Sequence, residues 1–393
     1  MEATTGPSVY SLSMSNSSFT QEIAVFGQSG SGKTVLLSSL YGRTWYESDK
    51  KRIDYQIHCK ATKQHTTLLA NYYRMRDEDK VPMATRFEAN EFEFELLPQN
   101  VVGGGPDKVK RLTVKWHDYP GEWFERDPES DTEALDRSKT FRRLLGANVA
   151  LFLVDGQKLK DNAGQEERYL KQLFASFKHM LLSLKDEILV DGGELEQFPR
   201  VWIIALSKAD LLPDITVDDF LSLMMRKADS EINALRDVIQ QFITHDEAVS
   251  IGEDFVLLSC AEFTPGKIDT TETKGLSALL PIATVLPIED FLNRDRFKVL
   301  PWGFLDRVGA LEGADKLVGA IARVVKWRPL VKKLPVWWIL GEMVADLLPM
   351  ATEALEAEKE KALQQHDFYR AILTEFTKEL NMASEAGILK RGL

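Results

Sequence analysis

A glycine-rich segment near the start of the chain restricts its fold more than any other feature. The apolar run Ile23-Ala24-Val25-Phe26 leads directly into this segment, and Val35-Leu36-Leu37 leads out of it. Between them stands Gly27-Gln28-Ser29-Gly30-Ser31-Gly32-Lys33-Thr34, which matches the pattern G-x-x-x-x-G-K-[ST]. This order predicts a buried strand, a tight loop and a helix. Backbone N–H groups in such a loop face one concavity, and the start of the helix adds positive potential there. The segment therefore predicts a site for the phosphates of a nucleotide.

Each residue of this loop has an expected part in binding. We expect the residues from Gly27 to Val35 to surround the phosphates, with backbone N–H groups as the main donors. Lys33 would reach the outer phosphates, and the Thr34 hydroxyl would hold Mg²⁺. A glycine-rich turn that binds nothing stays the alternative.

The net charge of the chain argues against one class of partner. The 393 residues carry a formal net charge of -11, so no basic excess is present to neutralise nucleic-acid phosphates. The two cysteines, Cys59 and Cys260, are far apart in the sequence and fit a reducing compartment better than a disulfide framework. No apolar run is long enough to span a membrane. We expect residues 1–19 to form a flexible tail and the protein to be cytoplasmic.

Strand-like and helix-like segments alternate from residue 20 to residue 295. This alternation predicts an α/β fold, in which a mostly parallel sheet carries helices on both faces. Apolar and polar side chains alternate on both sides of a turn between residues 92 and 116, which predicts one antiparallel hairpin. Helices are expected near 33–42, 62–75, 165–186 and 216–243.

From residue 296 to residue 393 the strand signal stops. Helices alone are predicted in this carboxy-terminal region, at 303–327, 336–348 and 351–384. The sequence therefore predicts three parts: a tail over 1–19, a nucleotide-binding domain over 20–295 and an α-helical region over 296–393.

Three further motifs follow predicted strands, and ligands of parallel sheets bind at the carboxyl ends of their strands. The first of the three is Trp116-His117-Asp118-Tyr119-Pro120-Gly121-Glu122-Trp123. An Asp at the end of an apolar strand can hold Mg²⁺ through water, and the Gly121 N–H can reach the terminal phosphate. An ordinary strand-ending turn stays the alternative for this motif.

The other two motifs follow the two later strands. Ser207-Lys208-Ala209-Asp210 comes after the apolar run 201–206 and resembles the [NT]-K-x-D element of GTPases. In that element the Asp accepts hydrogen bonds from guanine N1–H and N2–H₂, donors that adenine lacks in this arrangement, and the stem of the Lys packs on the nucleotide. Ser207 stands where Asn or Thr is commoner. Ser259-Cys260-Ala261 ends the last predicted strand and resembles the S-A-x element whose backbone touches the guanine ring.

The four motifs in this order resemble a GTPase of the Ras-like, TRAFAC type, over about residues 20–265. The string from Asp118 to Trp123 also resembles the bacterial YcjX-like P-loop proteins. The segment from Pro82 to Thr85 is similar to prokaryotic double-GTPase families of conflict-type systems. The resemblance implies a P-loop GTPase fold that binds GTP or GDP with Mg²⁺. It also implies that the protein hydrolyses GTP to GDP and phosphate and acts as a nucleotide-dependent switch. The last hundred residues resemble no family.

The resemblance also implies which residues act in hydrolysis. Lys33 would stabilise charge on the phosphates, Gly121 would contact the terminal phosphate, and Glu122 would orient the attacking water. Glu122 stands where Ras-like enzymes often have Gln, and its negative charge predicts slow hydrolysis without a partner. A threonine should close on Mg²⁺ and the γ-phosphate. Thr85 is the first candidate, with Thr44, Thr62, Thr66 and Thr67 as competitors.

Several side chains near the second motif have two interpretations. Arg126, Arg142 and Arg143 either supply a catalytic arginine within the chain or are solvated charges on a helix. Trp123 and Phe124 either form a partner surface that depends on the nucleotide or pack against a neighbouring helix. We expect His117 to have a packing role at the end of its strand.

The carboxy-terminal region leaves the cellular role open. A basic cluster at 316–333 precedes an apolar, Trp-rich stretch that ends at residue 348. Residues 316–348 either lie at a membrane surface or form a helix packed on the nucleotide-binding domain. Three functions therefore compete: a GTP-hydrolysing switch with a protein effector or activating partner, a nucleotide-binding scaffold with negligible hydrolysis, and a membrane-associated GTPase. The sequence does not predict an oligomeric state.

Overall fold

The computed structural model describes residues 19–46, 55–82, 90–98, 112–124, 126–189, 201–243, 251–299, 343–364 and 367–392. The helices and strands of these residues are numbered in chain order. The strands are β1 Phe19–Phe26, β2 Tyr55–Cys59, β3 Asn90–Pro98, β4 Leu112–Asp118, β5 Val149–Asp155, β6 Val201–Ser207, β7 Asp254–Leu257, β8 Glu262–Thr264, β9 Lys267–Asp269 and β10 Leu389–Lys390. The helices are α1 Lys33–Tyr46, α2 Thr62–Glu78, α3 Asp131–Leu144, α4 Gly156–Asp161, α5 Glu166–Ser183, α6 Lys185–Ile188, α7 Val217–Gln240, α8 Leu279–Val299, α9 Thr352–Gln364 and α10 Phe368–Glu385.

Eight strands form one mixed sheet in the order β10-β7-β6-β5-β1-β4-β3-β2. The five central strands, from β7 to β4, are mutually parallel. The predicted hairpin is confirmed, because β3 and β4 are antiparallel with Phe92 opposite Trp116. β2 adds a second antiparallel pairing beside β3, which the sequence did not predict. The mostly parallel α/β architecture is confirmed.

Helices cover both faces of the sheet, as predicted. Ile23 and Val25 of β1 belong to a core that includes side chains of α1, α8 and α10. Ala24 and Phe26 point to the opposite face, whose core includes side chains of α3, α5 and α7. The alternation of side chains along a strand explains why neighbouring β1 residues lie in different cores. The helices expected near 33–42, 62–75, 165–186 and 216–243 are confirmed as α1, α2, α5 and α7.

The described part of the carboxy-terminal region packs on the sheet. Helix α8 runs through the predicted domain boundary at residue 295, and α10 contributes Phe376 and Leu380 to the core that contains β1. The expectation of helices alone is wrong at one point, because β10 pairs antiparallel with β7 at the edge of the sheet. A strand of two residues is too short to show a pattern in the sequence. The helix predicted at 351–384 is present as two helices, α9 and α10.

Other expectations for this region lie largely outside the described residues. The segments 303–327 and 316–333 are not described, and only the end of 336–348 is. There, Val344 and Leu347 are fully buried in the core. Among the described residues, no helix is long and apolar enough to cross a membrane.

Candidate functional site

The glycine-rich loop joins β1 to α1 at the carboxyl edge of the parallel strands. Gly30 and Gly32 have φ angles of 76° and 93°, a region that favours glycine over residues with a Cβ. Gly27 is constrained by space instead, since an added Cβ would lie 2.5 Å from the Ser31 Oγ. The Ser31 N–H donates to the Gln28 carbonyl at 3.2 Å and closes the turn. The loop therefore has the compact, glycine-dependent form that the motif predicts.

Lys33 folds back over this loop from the first turn of α1. It is buried, and its ammonium donates to the carbonyl oxygens of Gly27 at 2.7 Å and Gln28 at 3.3 Å. These bonds hold the positive charge at the loop. Thr34 follows on the same turn and is half-buried. Val35 packs in a small apolar cluster that also contains Ala261, so the first and fourth motifs meet in the structure.

Asp118 ends β4 and is buried with its carboxylate close to the charge of Lys33. Burial raises the pKa of the Asp118 carboxyl, while Lys33 and the Tyr119 N–H act in the opposite direction. Among the described residues, no group of three or more His, Cys, Asp or Glu side chains could hold a metal. One carboxylate and one hydroxyl nevertheless suit Mg²⁺, which takes most of its ligands from phosphates and water. Asp118 and Thr34 therefore fit a magnesium ion that is bound together with a nucleotide.

Tyr119 was not predicted as a site residue, but it connects the second motif to the phosphate loop. Its hydroxyl accepts a hydrogen bond from the Gly27 N–H at 2.8 Å and donates to the Gly27 carbonyl at 3.3 Å. The Lys33 ammonium lies 5.0 Å from the centre of its ring. Gly27 and Tyr119 are 92 positions apart in the sequence, so no local pattern indicates their contact.

Gly121 lies directly against the phosphate loop. A Cβ at this position would lie 2.4 Å from the Ser29 backbone nitrogen and 2.6 Å from the Gln28 carbonyl carbon. Only glycine allows this approach of two backbones, which gives a physical reason for the D-x-x-G pattern. Glu122 follows on a 3-10 turn, Gly121–Phe124, and is half-buried.

The structure shows how two of the side chains around the second motif pack. Trp123 is buried, and its ring packs near the rings of Tyr119 and Phe141, as the packing interpretation expects. His117 bonds to Glu22 of the neighbouring strand at 3.1 Å, in keeping with a packing role. The Phe124 side chain lies outside the described residues.

None of the three candidate arginines is directed at the phosphate loop by a described contact. Arg126 is paired with Glu129 and Glu133, and Arg142 and Arg143 are exposed on α3. Thr85 lies outside the described residues, so its role stays a prediction. The competing threonines belong to helices. The hydroxyls of three of them donate to carbonyls of their own helix, those of Thr44, Thr66 and Thr67. Thr62 begins α2.

The third and fourth motifs form one loop pair at the carboxyl ends of β6 and β7. Asp210 Oδ1 accepts a hydrogen bond from the Ser259 hydroxyl at 2.9 Å, and its Oδ2 accepts one from the Phe263 N–H at 3.3 Å. The Ala209 N–H donates to the Leu258 carbonyl at 3.0 Å. The hydrogen bonds from Ser259 and Phe263 therefore fix the Asp210 carboxylate in place. Burial, with the nearby charge of Asp210, raises the pKa of the neighbouring Cys260 thiol, so the thiol stays protonated.

Two more residues near the motifs were missed by the sequence analysis. Asp155 ends β5 and pairs with Lys208, with 2.8 Å between Oδ2 and Nζ. Lys158, one turn later, donates to the Gln28 side-chain oxygen at 2.9 Å. The only sequence signal was a carboxylate directly after the apolar run 149–154.

Comparisons with known proteins give structural likenesses only. No family model matches the chain, and no curated protein matches it. Among solved structures, nucleolar GTP-binding protein 1 from Plasmodium falciparum is 14% identical, with 72% of this chain and 96% of that chain covered and a TM-score of 0.30. A signal recognition particle receptor complex, SRb-GTP/SRX from Chaetomium thermophilum, is 20% identical over 62% of this chain and 92% of that chain, with a TM-score of 0.31.

A third solved structure is the GTPase-like domain of S. cerevisiae Ski7, bound to GTP. It is 15% identical to this chain, which spans 43% of its length, with 62% of this chain covered and a TM-score of 0.26. At these TM-scores, the assignment of a function to this chain rests on the geometry of its own residues.

Proposed function

We propose that the chain binds guanine nucleotide with Mg²⁺ and hydrolyses GTP to GDP and phosphate as a molecular switch. One observation carries the proposal: the loop around Lys33 and the loop around Asp210 both lie at the carboxyl ends of the parallel strands. They follow β1 and β6, which are parallel strands separated only by β5. A phosphate site and a purine site at this spacing suit a single nucleotide.

Asp210 supports guanine as the base. A carboxylate has about four acceptor sites, and the bonds from Ser259 and Phe263 use two of them. The remaining sites can accept N1–H and N2–H₂ of guanine. Adenine would leave them unpaired, and a buried polar group without a partner costs binding free energy. Backbone contacts from Ser259 to Ala261 would complete the base site.

The phosphate end of the site supports hydrolysis by water. Lys33 and the loop N–H groups would stabilise negative charge on the transferred phosphoryl group, and Mg²⁺ held by Thr34, Asp118 and Thr85 would neutralise part of that charge. Gly121 packs against the backbone of the phosphate loop, and this contact would bring Glu122 close to the terminal phosphate. Glu122 would orient the attacking water. Its charge repels the phosphate, so we expect slow turnover until a protein partner completes the site.

Calorimetric binding of GTP, GDP and ATP, with and without Mg²⁺, tests the proposal. Lys33→Ala should weaken GTP binding by about hundredfold or more, because a buried charge-assisted contact is lost. Lys63→Ala removes an exposed lysine on α2 and should leave binding unchanged. Asp210→Asn should reduce the preference for GTP over ATP by about hundredfold. Absence of heat with every guanine nucleotide contradicts the proposal.

A scaffold with negligible turnover is the second candidate. The ion pairs of Arg126 and the exposure of Arg142 and Arg143 favour it, since no described contact places any of these three candidate arginines at the phosphate loop. Single-turnover measurement of phosphate release separates the two candidates. No release, alone or with any partner preparation, supports the scaffold. Glu122→Gln should accelerate release if repulsion limits the rate.

The cellular setting stays a proposal. A cytoplasmic protein with a protein effector is the simplest assignment, and membrane contact through 316–348 is the alternative. Burial of Val344 and Leu347 in the core reduces the apolar face available to a membrane. Co-sedimentation with liposomes, compared between the full chain and Trp337→Ala with Trp338→Ala, tests this contact.

A further inference from the structure

The junction between β5 and α4 contacts both halves of the proposed nucleotide site. Asp155 forms an ion pair at 2.8 Å with Lys208 of the base loop, which comprises residues 207–210. Lys158 donates at 2.9 Å to Gln28 of the phosphate loop, which comprises residues 27–34. Both contacts come from one short segment, residues 155–158. None of the four sequence motifs includes it.

Gly156 brings this segment against the base loop. A Cβ at residue 156 would lie 2.6 Å from the Ser207 carbonyl oxygen and 2.8 Å from that of Lys208. Glycine is therefore required by the close approach of two backbones. Lys208 itself has a φ of 53°, a left-handed conformation that an L-residue adopts only at a cost in free energy. Contacts with neighbouring residues must stabilise this conformation.

Asp155 is held in a single arrangement by its own contacts. Its side chain is 4% exposed, and its Oδ1 accepts the Gln157 N–H at 2.9 Å at the start of α4. Its backbone N–H donates to the Tyr169 hydroxyl at 3.0 Å. The second oxygen, Oδ2, faces Lys208. A carboxylate buried to this degree needs a positive partner, so Asp155 and Lys208 fix each other.

We propose that Asp155 is a positioning residue of the nucleotide site, which acts by holding the Lys208 side chain where it packs on the purine. The link from Lys158 to Gln28 ties the same segment to the phosphate loop, so that base and phosphate contacts keep a fixed spacing. This inference rests on the proposed binding of guanine nucleotide. Asp155 sets affinity through Lys208, whereas Asp210 sets which purine is bound.

Two substitutions and their combination test the proposal. Asp155→Asn keeps the oxygen that accepts the Gln157 N–H but replaces the acceptor that faces Lys208 with a donor. Lys208→Met removes the ammonium and keeps an apolar stem. The dissociation constants of GDP and of inosine diphosphate, which lacks the 2-amino group, are measured by calorimetry. We expect each single variant to bind both nucleotides about tenfold more weakly than the unmodified chain. The double variant should bind no more weakly than Lys208→Met, because Asp155 acts through Lys208.

The ratio of the GDP and inosine diphosphate affinities distinguishes positioning from general damage. It should be unchanged in Asp155→Asn, because Asp210 stays in place, and it should fall in Asp210→Asn. Glu166→Gln is the matched control, since Glu166 also accepts a backbone N–H and pairs with a lysine, Lys227, without a described contact to either loop of the site. This control should bind both nucleotides as the unmodified chain does.

Several outcomes would overturn the proposal. Unchanged affinity in Asp155→Asn, additive losses in the double variant, or a lower GDP preference in Asp155→Asn each contradict it while leaving the proposed function intact. Lys208→Met remains informative if Asp155→Asn does not fold, because normal binding by Lys208→Met removes the route through which Asp155 would act. Failure of the unmodified chain to bind GDP overturns the proposed function and this inference together.

Discussion

Tyr119 gives the clearest prediction for a single side chain. Tyr119→Phe keeps the ring but removes the hydroxyl that pairs with both backbone groups of Gly27. The buried Gly27 N–H then loses its acceptor, which costs about 1–3 kcal/mol of the free energy of unfolding. Chemical denaturation measures this loss. Tyr73→Phe is the control, since Tyr73 is 40% exposed and should change stability little. An equal effect of the two substitutions would contradict a special role for Tyr119.

Asp118 should make stability depend on pH in the nucleotide-free protein. Burial raises its pKa in the folded state, so the folded protein releases this proton at a higher pH than the unfolded chain does. Ionisation of the buried carboxyl lowers the free energy of unfolding. This loss is absent at pH values where Asp118 is protonated in both the folded and the unfolded state, grows above the ordinary aspartate pKa and is complete above the raised pKa. Asp118→Asn should therefore raise the free energy of unfolding at pH 7, and the gain should shrink as the pH falls.

Denaturation at several pH values checks this expectation. Asp161→Asn is the control, because Asp161 is exposed on α4 and its substitution should give a difference that does not follow pH in this way. A gain in Asp118→Asn that stays constant with pH would mean that titration of Asp118 is not its cause. The same variant should lose Mg²⁺-dependent nucleotide binding. Together, the two results would mean that the Asp118 carboxylate serves nucleotide binding and lowers the free energy of unfolding.

Single residues differ in how far the sequence indicates their role. Lys33, Asp118, Gly121 and Asp210 were predicted because each belongs to a short motif directly after an apolar strand. Tyr119 and Asp155 act through contacts with residues distant in the sequence, which depend on how the strands are ordered. Gly121 illustrates both cases: its motif was visible, but the reason for glycine, contact with the Ser29 backbone, needed the fold.

At the scale of elements, Arg137 joins α3 to the 3-10 turn that carries Glu122. Its guanidinium donates to the Arg126 carbonyl at 2.6 Å and to Glu133 at 2.7 Å, with longer bonds to the carbonyls of Trp123 and Asp127. Lysine cannot span four acceptors. Arg137→Lys should lower the free energy of unfolding by about 1–3 kcal/mol and accelerate amide exchange in the turn.

Hydrogen exchange read by mass spectrometry, in peptides that cover the turn and in peptides from β5 and β6, measures this effect. Exchange should rise in the turn and stay slow in the strands. Arg142→Lys on the exposed side of the same helix should leave both unchanged. Unaltered exchange in the turn of Arg137→Lys would mean that α3 does not hold it.

Elements with a strong apolar pattern were predicted, and those without one were not. The central strands β1, β5 and β6 are buried along most of their length and read as apolar runs. No bounds were predicted for helix α3, in which two of the four buried side chains, Arg137 and Ser138, are polar. The short strands β8, β9 and β10 have two or three residues each, which is too few for a period to be visible.

For the whole molecule, the question is whether the carboxy-terminal helices and the sheet unfold together. Phe376 of α10 is fully buried and packs edge-on against Tyr55 of β2, with 5.5 Å between ring centres. Shortly after α10 ends, β10 pairs with β7 at the other end of the sheet. Helix α10 and β10 together thus contact strands near both edges, and they share a core with β1.

This arrangement predicts a single cooperative transition that includes α10. Phe376→Ala should lower the free energy of unfolding by about 3–5 kcal/mol, because a large buried side chain is lost from the shared core. Circular dichroism and tryptophan fluorescence should show the same shifted midpoint, since one core unfolds as one unit. Met382→Ala, at a position of α10 that is 50% exposed, should shift the midpoint little. Two separate transitions, with a fluorescence midpoint unaffected by Phe376→Ala, would instead mean that α10 unfolds independently and that the sheet is stable without it.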